Sequence, residues 1–75
     1  MKFAIVKHSV KVAGRHTTIN IEDAFWNGLR DIAERRNEDL SRLIGNINAE
    51  RHQGSLSSAC RLYVLRDYQY RVTLA

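Results

Sequence analysis

A mostly helical fold with one short β-strand, completed by a second copy of the chain, is what this 75-residue sequence predicts. Three observations carry that expectation. The stretch "RHTTINI", Arg15 to Ile21, alternates polar and β-branched residues with the two-residue period of a half-buried strand. Two segments behind it repeat apolar residues at helical spacing, with a polar break between them. A lone strand, finally, would leave a row of backbone N–H and C=O groups unpaired. The same strand of a second chain meets that need most economically, and two-fold symmetry makes the resulting ribbon antiparallel.

The strand comes first. Alternation points Ile19 and Ile21 toward the helices and a dimer core, and Thr18 and Asn20 away from it, with His16 and Glu22 at the ends. Gly14 interrupts the wider pattern "SVKVAGRHTTINI". Val10 to Ala13 is therefore either an extension across a glycine bulge or a separate short strand. Residues 1–8 are expected to form a flexible basic arm, as chain termini commonly do.

The first helix should run from about Asp23 to Arg36. Phe25, Trp26, Leu29, Ile32 and Ala33 fall on one face, acids open it and Arg35 and Arg36 close it. Asn37 can adopt the left-handed conformation that stops it. Asp39 is placed to cap a second helix, in which Leu40, Leu43, Ile44 and Ile47 repeat at helical spacing. Gly45 costs that helix about 1 kcal/mol relative to alanine, and marks either a close backbone approach or a tolerated surface glycine. After the break "QGSLSS" a third helix is expected from Ser57 to Tyr70, capped by Ser55 or Ser57. Leu56, Ala59, Cys60, Tyr63 and Val64 form its apolar stripe, which Leu62 and Leu65 widen. Residues 9–70 thus make one domain, and residues 71–75 a tail.

Size and composition narrow the function. A chain this short has little core of its own and gains from an added staple or partner. Cys60 is the only cysteine, so no disulfide can form within the chain. His8, His16 and His52 lack ligand spacing, so neither a metal nor another cofactor is expected. No apolar run is long enough to cross a membrane, and Lys7 and His8 interrupt the first residues too early for a signal peptide. A soluble cytoplasmic protein is expected. No nucleophile has a base and an orienting acid at recognisable spacing, and no phosphate loop occurs, which argues against an enzyme.

The net charge of +4 is unevenly distributed. Residues 1–20 hold Lys2, Lys7, Lys11 and Arg15 and no acid, whereas residues 21–50 hold seven acids against four arginines. A basic start ahead of an acidic middle points to a polyanionic partner, or else is a solvated surface. The outward residues of the strand fit the first alternative. A two-stranded ribbon fits the major groove of DNA, where asparagine can bond an adenine edge and threonine can meet a thymine methyl. Read by themselves, Thr18 and Asn20 are also ordinary solvent-facing strand residues.

The residues "TINIEDAFWNGLRDIAERRNEDLSRLI" bring a family into view. Their strand, acidic helix start, apolar pair, Leu-x-x-Ile-Ala and following Leu-Ile resemble the ribbon-helix-helix domain of bacterial repressors. The continuation "SSACRLYVLRDY" is similar to a short bacterial subgroup that adds a third helix, and the resemblance spans about residues 9–68. It implies an intertwined homodimer with an intermolecular antiparallel ribbon, binding double-stranded DNA as a nucleoid-associated transcription regulator. Carried over, the base-reading positions are Thr18 and Asn20, with His16 or Glu22 flanking them. The phosphate contact at the start of helix two falls on the N–H groups of Asp39, Leu40 and Ser41, where a helix N-terminus attracts anions. Lys7, Lys11 and Arg15 are positioned to grip the backbone. The dimer core would comprise Ile19, Ile21, Phe25, Trp26, Leu29, Ile32, Leu43, Ile44 and Ile47. Glu38 and Asp39 depart from the pattern and should weaken the phosphate site, and Glu22 is ill-suited to DNA.

The remaining chemistry is assigned to structure. His8 and His52 are expected on the surface, Cys60 in the core and Trp26 in the dimer core. Tyrosines 63, 68 and 70 interleave with arginines 61, 66 and 71, a pattern that suits a packing stripe with a solvated face better than single-stranded nucleic acid. A rival to DNA binding is a dimeric interaction module of antitoxin or adaptor type, holding a protein through residues 55–70 or the ribbon. Helix three could equally build a tetramer.

Overall fold

The computed structural model describes residues 4–51 and 54–74. Two strands, β1 (Ile5–Val12) and β2 (Arg15–Glu22), are followed by α1 (Asp23–Arg35), α2 (Leu40–Glu50) and α3 (Leu56–Leu74). β1 and β2 pair antiparallel as a hairpin, from Val12 opposite Arg15 at the turn to Ile5 opposite Glu22 at the open end. The turn itself is Ala13–Gly14, with φ of 52° and 80°. Positive φ at both central residues defines the type I′ turn, whose twist matches that of the strands it joins.

This hairpin corrects the lone strand. β2 finds its partner in its own chain, so no second copy is needed to satisfy that edge. Of the two alternatives for Val10 to Ala13, the separate strand is the one formed, and it starts earlier, at Ile5. Residues 5–8, assigned to a loose arm, therefore belong to the sheet, while the first three residues of that arm lie outside the described residues. Sheet pairing overrides the tendency of a terminus to fray, because alternate residues of β1 gain ladder bonds and Val10 and Val12 join the core.

One face of the hairpin carries the three helices. Val10, Val12, Ile19 and Ile21 join Leu29, Ile32 and Ala33 of α1, Leu43, Ile44 and Ile47 of α2, and Cys60 of α3 in a single buried core. Phe25 and Trp26 pack half-buried against it. Ile19, Ile21, Leu29 and Ile44 are wholly excluded from solvent within one chain. Seven of the nine residues assigned to a dimer core are thus already buried within the single chain, and Phe25 and Trp26 lie half-buried against them. His8 sits among the inner-face positions of β1, not on the surface, and its ring stacks on Trp26 with centroids 3.9 Å apart and planes 8° from parallel. His52 lies outside the described residues.

The helix ends follow sequence chemistry. Arg36 caps α1, and Asn37 takes φ of 52° as the left-handed residue behind it. The N–H of Glu38 then bonds Ala33 O at 2.8 Å and that of Asn37 bonds Glu34 O at 3.1 Å, the paired bonds of a Schellman motif. Ser55 caps α3 through its Oγ, which accepts from the N–H of Ser58 at 3.1 Å. α3 continues to Leu74, so most of the supposed tail is helical.

The close helix approach occurs at Gly28 rather than Gly45. A Cβ on Gly28 would meet Val64 Cγ1 at 2.7 Å, whereas one on Gly45 would meet nothing within 4 Å. Gly28 therefore sets how near α3 can lie to α1. Asp67 then ties the pair, receiving Arg35 Nη2 at 2.8 Å and Arg71 Nε at 3.0 Å. Arg36 Nη1 donates to Tyr63 Oη beside them.

Candidate nucleic-acid interface

Opposed residues of an antiparallel pair share a face. The register sets Lys7 opposite Asn20, Ser9 opposite Thr18 and Lys11 opposite His16, on the face turned from the helices. All six side chains are exposed. Neither lysine enters an ion pair among the described residues. A band of small hydrogen-bonding groups flanked by two free ammonium groups thus covers the outside of a two-stranded ribbon. The base-reading candidates Thr18, Asn20 and His16 come together there with Lys7 and Lys11.

The sequence missed Ser9, which enters this band only because β1 is a strand. It also missed Arg61 of α3. Glu22, at the open end of the same face, turns its carboxylate to Arg61, whose Nε donates to Oε1 at 2.7 Å. Arg61 Nη2 also reaches the backbone O of Asn20 at 3.5 Å. The hydrogen bond from Arg61 holds the Glu22 carboxyl below the usual glutamate range. No sequence pattern signals a contact between residues 39 apart.

Arg15 stands apart from the lysines. It pairs with buried Val12 at the turn, on the inner-face parity, and its side chain is exposed. The start of α2 is open. Asp39 occupies its N-cap in extended conformation, and its side chain makes no capping bond. Its backbone O accepts from Leu43 N at 2.9 Å, as a cap residue should. Asp39 is exposed and Leu40 and Ser41 are half-buried. The neighbouring Glu38 is half-buried, with its N–H committed to the end of α1.

Other groups are used for packing. Cys60 is fully buried, and burial pushes its thiol up to about 11, far from a reactive thiolate at neutral pH. Trp26 has one ring face occupied by His8. Among the described residues no three His, Cys, Asp or Glu side chains gather where they could hold a metal ion, and no helix is long and apolar enough to cross a membrane. α3 differs from the expected single stripe: Leu62 and Leu65 face solvent, 58% and 44% exposed, opposite the side that carries Cys60.

Comparison with known proteins adds one finding. The model of a ribbon-helix-helix domain matches residues 5–68, from the first residue of β1 into the second half of α3. No curated protein and no solved structure matches the chain. Domains of this kind generally bind DNA as transcription regulators. The match covers the hairpin, α1, α2 and most of α3, and the chain belongs to the ribbon-helix-helix domain family.

Proposed function

We propose that this chain is a sequence-specific double-stranded DNA-binding protein that regulates transcription by laying its hairpin in the major groove. The observation that carries this is the outer face of the ribbon, where six exposed polar side chains, two of them lysines, lie in register. Thr18 and Asn20 read base edges, with His16 beside them. Lys7 and Lys11 contact phosphates, as does Arg15 from the tip, and the N–H groups at Asp39, Leu40 and Ser41 offer a second anion site.

The working unit in this reading is a homodimer. A two-residue turn closes on a hydrogen-bonded pair, so residues 16, 18, 20 and 22 direct backbone groups to the free edge of β2. Asn20 O, which accepts from Arg61 Nη2 at 3.5 Å, lies on that edge. A second copy adding antiparallel along it brings two recognition strands together and keeps both sets of helices on one side. The lysines of the two β1 strands then flank the centre, where phosphates lie.

A binding assay on random duplexes, followed by selection of bound sites, tests this. Expected are a palindromic site and an affinity that falls steeply with salt. Thr18→Ala with Asn20→Ala should remove the preference for that site, about 1–3 kcal/mol per lost base contact, while non-specific binding persists. Lys7→Ala with Lys11→Ala should weaken binding to all sequences and flatten the salt dependence by about 0.9 log units per lost phosphate contact. Absence of salt-sensitive binding in the unaltered chain sinks the proposal.

The second reading is a protein-interaction module, and the exposed side of α3 favours it. Leu62, Leu65, Tyr68 and Val72 remain exposed there. Beside them a cavity of about 270 Å³ between α2 and α3 is lined by Ile47, Leu62 and Tyr63 with Arg51 and Arg66 at its rim. Loss of function on Leu62→Gln and Leu65→Gln, with DNA affinity intact, would favour this reading over the first.

A further inference from the structure

Glu22 is the one carboxylate on the outer face of the hairpin, two residues from Asn20 and opposite Ile5. Left free, it would face the phosphates that Lys7 and Lys11 are placed to meet. It is not free: Arg61 holds it at 2.7 Å and reaches Asn20 O at 3.5 Å. We infer that Arg61 is a positioning residue of the DNA-binding face, which draws the Glu22 carboxylate back onto α3 and neutralises it, so that the third helix completes the recognition surface without touching DNA. The inference rests on the DNA-binding function proposed above.

The geometry favours this over two simpler roles. As a direct phosphate contact, Arg61 would need its guanidinium turned outward, but its Nε is committed to Glu22 and its Nη2 points at the edge of β2. As a general staple of the fold it would be redundant, because α3 is already fixed by buried Cys60, by the Gly28–Val64 contact and by Asp67 with Arg35. The pair is also only partly shielded, with about a quarter of each side chain exposed (29% and 25%). Thermal melting of the variants measures what the pair adds to the fold, separately from its effect on binding. The charge balance of the pair acts directly on a polyanion held nearby.

The test is a double-mutant cycle read by DNA affinity, with thermal melting alongside. Arg61→Gln should weaken binding roughly three- to tenfold, the effect of one uncompensated negative charge a few ångströms from phosphates in water. Glu22→Gln, which frees a cation, should bind as tightly as the unaltered chain or more tightly. The double variant should recover most of the loss, and Arg61→Lys part of it. In Arg61→Gln, Glu22 regains the ordinary glutamate range, so binding should strengthen as pH falls through that range. The unaltered chain, whose Glu22 stays ionised to lower pH, should lack that step. Equal weakening by Arg61→Gln and Glu22→Gln, with no recovery in the double variant, overturns the inference and leaves the DNA-binding proposal standing. Failure of the unaltered chain to bind any duplex sinks both. Carboxyl titration of Glu22 by NMR, with and without Arg61, shows separately whether the pair forms in solution.

Discussion

On β2, the apolar residues Ile19 and Ile21 enter the core and the residues alternating with them are polar; on α3, apolar side chains stand on both sides. Ile19 and Ile21 are wholly buried while Thr18 and Asn20 between them are exposed. On α3, Cys60 is wholly buried, yet Leu62, Leu65, Tyr68 and Val72 are largely exposed on the opposite side. A strand sorts its residues by a period of two, so one face can be given entirely to solvent or a ligand. A helix with apolar residues all round has more apolar surface than one core can cover. The difference separates a finished polar surface from an unfinished apolar one. Under the proposed function DNA binding would use the first, and a protein contact, in the second reading, would use the other.

Three stability measurements sharpen or break this comparison. The largest effect should come from the inner face of the hairpin. Ile19→Ala should cost about 2–5 kcal/mol in denaturant unfolding, as for other fully buried aliphatic truncations, while Thr18→Ala beside it should stay within about 0.5 kcal/mol. Similar costs for the two would mean that the outer face is covered in solution. An intermediate effect is expected where α3 meets α1. Gly28→Ala places a methyl 2.7 Å from Val64 Cγ1, and the stiff β-branched neighbour can yield only by moving the helix. A loss of about 1–3 kcal/mol should result, largely recovered by adding Val64→Ala, which removes the clashing methyl groups. The smallest effect belongs to the outside of α3. Leu62→Gln and Leu65→Gln should each change stability by less than about 0.5 kcal/mol. A loss above about 1 kcal/mol, dependent on protein concentration, would show that a second copy covers this face and would erase the contrast.

Much of this architecture was legible in the order of residues. β2, the two faces it presents, α1 with its stop at Asn37 and the apolar spacing of α2 all follow from local periodicity. β1 did not, for two reasons visible in its residues. Ile5 is apolar at an outward position and His8 is polar at an inward one, so alternation fails over half its length. Its turn, Ala13–Gly14, also lacks the asparagine or aspartate that usually marks a type I′ hairpin. With β1 unseen, β2 looked unpaired, and the case for an intermolecular ribbon rested on that gap. Among the candidate residues of the outer face, Thr18, Asn20 and His16 were chosen by type and parity and Lys7 and Lys11 by charge alone, whereas Ser9 and Arg61 needed the register and the packing of α3.

By itself the sequence determined what each residue does within its own turn or strand: which side chains point in, where helices cap, and which face is polar. Those properties arise from interactions between residues a few positions apart, whose geometry the backbone fixes. Only the tertiary structure decided which strand β2 pairs with, that Gly28 rather than Gly45 admits a neighbouring helix, and that Arg61 covers the carboxylate of Glu22. These contacts join residues distant in the chain. Their partners are chosen by how the whole apolar surface can be buried at once, a condition that no local pattern contains.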